Sequence, residues 1–307
     1  MENKLNAKLS PSQIATQNKK LDKKIILITG ANSGIGKETA ISLAKIGHKV
    51  IIHGRDVEKT KQAREEIISK SGNKDVEYLC ADLSLKAEIP PFVDKVKQKC
   101  DYLDVLINNA GGQFGNKREE SIEGHEKTFA INTLAPFLLT HLLLPLLQKS
   151  KNARVVTVSS ESYKMGGKPP LEDIELKHNY SLFKSYGLSK LYVWWIMREF
   201  VEYLKAQNIT NITINTVEPG SVESGLQRES GKGILMKIIT ILWKPMMWSM
   251  EKAAATSIYM ATSSEVEGVT GKFYGDCKEK IIKDKYISPK AQKALWDYCQ
   301  KVCEGYL

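Results

Sequence analysis

Cysteine is scarce in this chain: five residues, Cys80, Cys100, Cys277, Cys299 and Cys303, with no C-x-x-C pair. A disulfide framework and a thiolate metal site are therefore not expected, and a reducing compartment, taken as the cytoplasm, is. Histidine is equally sparse, five in all, and no H-E-x-x-H occurs, so no metal is expected. No stretch approaches the roughly 18 uninterrupted apolar residues of a membrane span. Met1 to Lys24 is polar and Lys-rich and lacks an apolar signal-peptide core. Gly-rich linkers, repeats and low-complexity runs are missing too, which leaves no boundary at which to divide the chain.

The remaining composition is that of a soluble globular protein: 42% hydrophobic and 26% charged over 307 residues. A net charge of +10 raises the question of nucleic acid, but its distribution answers it. Residues 1–24 net +4 and residues 272–293 another +4, around a nearly balanced body. Two solvated basic ends fit better than a binding face, so no nucleic-acid partner is expected. Apolar strand-like runs alternate with helical periodicity at short intervals: Ile25–Ile28, Lys49–His53, Val76–Cys80, Leu103–Ile107, Arg154–Val158 and Asn211–Val217 read as strands. Helical periods fall between them, the longest over Gly124–Lys149 and Ser185–Ala206. Repeated strand–helix units predict an α/β fold, a single doubly wound Rossmann-type domain with a seven-stranded parallel sheet and helices on both faces.

Between the first strand and its helix stands Thr29-Gly30-Ala31-Asn32-Ser33-Gly34-Ile35-Gly36. A glycine-rich turn there aims backbone N–H groups and a positive helix end at one spot, a seat for pyrophosphate. The spacing rules out a Walker A loop, because five residues separate Gly30 from Gly36 and Glu38 follows Lys37. It also departs from G-x-G-x-x-G. In such a sheet ligands meet the carboxyl ends of the strands. Chemistry-bearing residues do cluster after the strands: Asp82, Asn108-Asn109-Ala110-Gly111, Ser159-Ser160 and Glu218-Pro219-Gly220.

Tyr186 and Lys190 lie four apart, one turn along a single helix face. A free phenol titrates near 10 and is a poor acid–base group at neutral pH, whereas a neighbouring ammonium favours the phenolate. A serine hydroxyl beside the pair could hydrogen-bond a substrate oxygen. Alone, Tyr-x-x-x-Lys is most often a surface pair; after a glycine turn, Asn-Asn-Ala-Gly and Ser-Ser it is not.

In these motifs the sequence resembles the short-chain dehydrogenase/reductase family over about residues 23–275. Its retinol dehydrogenase-like group is the nearest match, on Phe137 to Leu144, Pro219-Gly220-Ser221-Val222 and Val266 to Phe273. The resemblance implies an oxidoreductase that interconverts an alcohol and a carbonyl on a lipophilic small molecule by hydride transfer. It implies Tyr186 as acid/base, Lys190 on the nicotinamide ribose, Ser160 rather than Ser159 on the carbonyl, and Asn132 supporting a relay water. The dinucleotide would meet Gly30, Asn32, Ser33, Ile35 and Gly36 in the turn. Asp82 and Leu83 would meet its adenine, Asn109, Ala110 and Gly111 its nucleoside, and Pro219, Gly220 and Val222 the nicotinamide end, with Tyr186 and Lys190.

Gly54 holds the place where NAD-type members carry an acid, and Arg55 follows, so NADP(H) is expected over NAD(H). Asp56 reads as a helix cap. Glu218 departs from the His common to the group. The apolar stretch 221–250 corresponds to the family's substrate lid, rich in Met and Trp. Residues 1–22 read as an arm and 276–307 as a basic, helical extension. Weak contact with a membrane surface and a homodimer both stay open. A nucleotide-binding regulatory protein without turnover is the alternative reading, opposed by the presence of Ser, Tyr and Lys together.

Overall fold

The computed structural model describes residues 22–220 and 248–307. The arm expected over residues 1–22 therefore lies outside the described residues but for Asp22. So do Val222 and all but the last residues of the expected lid.

Aliphatic runs form the strands because both faces of a parallel sheet are buried. In chain order they are β1 (Ile25–Ile28), β2 (Lys49–Gly54), β3 (Val76–Cys80), β4 (Val105–Asn108), β5 (Ala153–Val158), β6 (Ile212–Glu218), β7 (Phe273–Gly275) and β8 (Lys278–Glu279). They make one sheet in the order β3-β2-β1-β4-β5-β6-β7-β8. The first seven are parallel, whereas β8 runs antiparallel to β7. Eight strands thus replace the seven expected. Gly275 pairs with Lys278, and the two residues between them, Asp276 and Cys277, have φ of 53° and 58°. Two left-handed residues make a tight hairpin turn whose twist suits the sheet. No Asn-Gly or Asp-Gly pair announces it.

One face of the sheet carries α1 (Gly34–Lys45), α2 (Val57–Ser71) and α6 (Met250–Thr262) over an aliphatic core. The other carries α3 (Ile89–Lys99), α4 (Lys127–Gln148), α5 (Leu182–Ala206) and α7 (Pro289–Cys303). The second core is aromatic: Trp296 of α7 packs edge-on against Phe137 of α4 and Phe200 of α5. Cys299 and Cys303 are fully buried there as core thiols, and Trp194 and Trp195 are buried within their own chain. Helix α4 is long and apolar enough to cross a membrane, yet 78% of that apolar window is buried, so it is a core helix.

Local chemistry sets several boundaries. Asp56 caps α2 by accepting the Lys59 N–H at 2.9 Å, as expected. Ser181 caps α5, accepting the Lys184 N–H, so the helix begins at Leu182, three residues before the expected start. Tyr186 therefore stands inside its second turn. Helix α4 starts three residues late and carries a π turn at Ala130–Leu134, a distortion frequent at functional sites. Asn132 sits in that turn.

Candidate active site

The carboxyl ends of β1 to β6 meet at one edge, and the glycine turn after β1 is held there by uncharged bonds. The Thr29 hydroxyl accepts the N–H groups of Asn109 and Ala110 at 3.0 and 2.9 Å. The Asn109 amide returns two bonds, to the carbonyls of Thr29 and Gly30, at 2.8 and 3.2 Å. His53, buried at the end of β2, accepts the Gly30 N–H through Nδ1 at 3.2 Å. Its Nε2–H consequently donates to the Ala81 carbonyl at 3.0 Å, which fixes the tautomer. Burial holds this imidazole neutral, with its pKa pushed down to about 4. Asn108 joins β4 to β5 and α4, donating to Thr157 and Thr140 at 3.2 and 3.1 Å.

The remaining turn residues are free to receive an anion. Ser33 precedes α1, is exposed, and makes no side-chain cap bond. Asn32 and Ile35 are half-buried beside it, and Gly36 is buried. Gly54 has no space for a side chain: a Cβ would strike the Thr60 hydroxyl and lie 2.9 Å from Asn32. Arg55, mostly exposed, has Nη1 3.6 Å from Asp82 Oδ2. The other Asp82 oxygen accepts from the N–H and hydroxyl of Ser84, at 3.0 and 2.6 Å. Asp82 thus caps a turn with one oxygen and faces Arg55 with the other. Leu83 points into the core, which leaves only its backbone to a ligand.

The reacting groups gather between β5 and α5. Ser159 turns inward, donating to the Lys190 carbonyl at 2.7 Å, whereas the half-buried Ser160 hydroxyl accepts the Ser162 N–H and hydrogen-bonds with the Ser162 hydroxyl, both at 3.1 Å. Burial pushes the Tyr186 phenol up to about 12, opposed in part by the neighbouring Ser160 hydroxyl. Tyr186 keeps an exposed edge, so water there tempers the rise. The expected lowering by Lys190 does not dominate in the free protein: Nζ stands 5.7 Å from the phenol ring centroid. Burial pushes the Lys190 ammonium down to about 8. Asn132 donates to the Gly112 carbonyl and to Ser189 Oγ, both at 2.9 Å, and accepts the Gly112 N–H at 2.9 Å. Both of its amide hydrogens are committed, so a relay water would meet Asn132 through an oxygen.

Lys190 supplies the test of whether a dinucleotide fits. Its buried ammonium donates to the Val158 carbonyl at 3.1 Å and to no other described residue, which leaves donors beside Gly111. A Cβ on Gly111 would stand 3.4 Å from Nζ and 2.9 Å from Asn132 Oδ1, so the glycine keeps that space open. A ribose diol satisfies such donors. Pro219 and Gly220 flank the same edge half-buried, and the Gly220 N–H is taken by Glu218 Oε2 at 2.8 Å. That N–H is therefore already engaged by the protein itself.

Sequence reasoning passed over His53, Glu126 and Lys280. Glu126 caps the first turn of α4, accepting the N–H groups of Thr128 and Phe129 at 2.9 and 2.8 Å, and it also accepts the Ser185 hydroxyl at 3.1 Å. It thereby ties the helix of Asn132 to the residue before Tyr186. The signals were weak: a histidine ending an aliphatic strand, and an unexpected glutamate at 218 that calls for a cation.

The short chain dehydrogenase family description matches residues 24–234. Retinol dehydrogenase 14 of Mus musculus is 36% identical over 288 residues, covering 89% of this chain and 84% of that protein. Polyprenol dehydrogenase of Homo sapiens is 34% identical over 285 residues, covering 92% and 84%. Among solved structures, a protein from Mycobacterium paratuberculosis superposes with a TM-score of 0.72 at 26% identity, covering 93% of this chain and 96% of that one. With the site geometry above, these matches show that the chain belongs to the short-chain dehydrogenase family, in its retinol dehydrogenase-like group, and is an NAD(P)-dependent oxidoreductase acting on CH–OH groups.

Proposed function

We propose that the enzyme uses NADP(H) to interconvert an alcohol and a carbonyl on a lipophilic small molecule, with Tyr186 as the acid/base. The observation that carries this reading is the buried Lys190 ammonium with donors to spare, one helical turn from a phenol that has the Ser160 hydroxyl as its neighbour. The bound dinucleotide supplies the hydride donor or acceptor. Ser160 holds the substrate oxygen by a hydrogen bond, and Tyr186 gives that oxygen its proton in the reductive direction and takes it back in the oxidative one. Lys190 holds the ribose and brings a positive charge toward the phenol, offsetting part of the burial that raises its pKa. The choice of NADP(H) rests on the sterically closed Gly54 position and on Arg55 beside it. The lipophilic substrate class is supported by the relatives named for retinol and polyprenol.

A panel of retinoid, steroid and long-chain aldehydes and ketones, followed by loss of NADPH absorbance with NADH alongside, tests the reading. Tyr186→Phe is expected to lower turnover by at least about a hundredfold while retaining NADPH binding. Unchanged turnover removes the phenol from the chemistry.

A further inference from the structure

A charge cluster built around one buried carboxylate lies beside the reacting groups. Glu218, the last residue of β6, is buried, and its Oε2 accepts the Gly220 N–H at 2.8 Å. Its Oε1 receives the ammonium of Lys280, just beyond β8. The same ammonium reaches Glu161 Oε1 at 3.2 Å. Glu161 directly follows Ser160, and Glu218 directly precedes Pro219-Gly220. One cation from the C-terminal segment thus grips two loops, far apart in sequence, that carry different parts of the site.

The surroundings are shaped for this grip. Gly275 lies opposite Glu218 in the β6–β7 register, and a Cβ there would strike Glu218 Oε1 and reach within 2.5 Å of Lys280 Cε. The backbone N–H of Lys280 donates to the Phe273 carbonyl at 2.7 Å, which fixes where its side chain starts. A buried carboxylate stripped of its cation is costly and moves toward water. Glu218 could do so only by releasing the Gly220 N–H.

We propose that Lys280 is a positioning residue: through Glu161 and Glu218 it fixes the Ser160 loop against the Pro219–Gly220 turn, so that the substrate oxygen and the nicotinamide end of the dinucleotide are presented to each other in register. The kinetic side of this proposal rests on the function proposed above. Catalytic rates fall steeply when such groups shift by even an ångström.

The test compares Lys280→Met, Lys280→Arg and the double variant Glu218→Gln/Lys280→Met with wild type. NADPH affinity, kcat and KM are measured, together with amide hydrogen exchange in ligand-free protein. Lys280→Met is expected to weaken NADPH binding and lower kcat by about tenfold each, while Lys280→Arg stays within about threefold of wild type. Exchange should quicken at Gly220 and over Glu161–Met165, with β1 to β4 unchanged. The double variant leaves no buried charge unpaired, so it keeps the test usable if Lys280→Met does not fold. It is expected to show the same kinetic loss and the same faster exchange. Recovery of wild-type kinetics in the double variant would reduce Lys280 to a neutralising partner and overturn the proposal. So would a Lys280→Met protein that loses thermal stability but keeps wild-type affinity, kcat and exchange. Failure of the wild type to reduce any carbonyl would sink the proposed function alone, because the exchange comparison needs no ligand.

Discussion

The two flanks of the sheet edge are built from different interactions. On the dinucleotide flank, Thr29, Asn109 and neutral His53 hold the glycine turn, each by bonds between uncharged groups. On the substrate flank the supports are ionic. Lys280 joins Glu161 and Glu218, and Glu175 receives His125 Nδ1 at 2.8 Å, the Tyr298 hydroxyl at 2.5 Å and the Glu126 N–H at 2.7 Å. The first kind links residues next to strand ends, where backbone geometry has already brought them close. The second recruits Lys280 and Tyr298 from the last thirty residues, so the chemistry depends on a segment outside the βαβ repeat. Buried charges bring specificity of place at a desolvation cost, and they punish the loss of one partner more than neutral bonds do.

The sharpest way to break this contrast is at Glu175. Burial alone would raise its pKa, but the bonds from His125 and Tyr298 hold it below the usual carboxylate value. Glu175→Ala removes three acceptor contacts at once and strands two buried donors just before α4 and the half-buried Tyr298 hydroxyl on α7. A loss of about 3–5 kcal/mol is expected in chemical denaturation. Tyr298→Phe removes one bond and should cost about 1 kcal/mol. Equal losses for the two variants would show that the flank is held by packing instead.

Acid separates the flanks next. His53 is held neutral with a pKa near 4 against 6.5 in the unfolded chain, so the unfolded state binds the proton first as pH falls. Its contribution is fully present above about 6.5 and is lost progressively down to about 4, to a total of about 3 kcal/mol. His48, also pushed down to about 4 by burial, adds a loss of the same sign. His53→Gln should flatten the stability curve between pH 6.5 and 4 relative to wild type. The carboxylates with lowered values, Glu161 and Glu175, act further down, below about 4.5. A His53→Gln curve parallel to wild type over the upper window would show that the imidazole carries none of the slope.

That division also explains what the letters reveal. The strands, the glycine turn, Asn-Asn-Ala-Gly and Tyr-x-x-x-Lys are local: each needs only neighbours in sequence, and the parallel sheet brings strand ends together by rule. The Asp56 cap was readable for the same reason. The pairing of Lys280 with Glu218, 62 positions away, has no local pattern, and neither has Tyr298 with Glu175, 123 positions away. Strand β8 was missed because its turn uses Asp276 and Cys277 in left-handed conformations without the usual glycine. The π turn around Asn132 is invisible in a run whose apolar periodicity continues through it.

The smallest expected effect sharpens the dinucleotide flank itself. The proposed preference for NADP(H) rests on one mostly exposed guanidinium, Arg55, whose Nη1 lies 3.6 Å from Asp82 Oδ2. An exposed pair at that distance contributes little to folding. Arg55→Asp should therefore leave the denaturation midpoint nearly unchanged. Its effect should appear only when a ligand carries a phosphate on the adenosine ribose. There the substitution removes a bidentate donor and sets a second carboxylate beside Asp82, so NADPH affinity should drop by roughly tenfold to a hundredfold. NADH lacks that phosphate and should bind within about threefold of its wild-type affinity, or tighter if the new carboxylate finds the ribose hydroxyl. Titrating both nucleotides against both proteins gives the four values needed. Parallel losses for NADPH and NADH would move phosphate recognition away from β2 and toward the open N-terminus of α1 at Ser33.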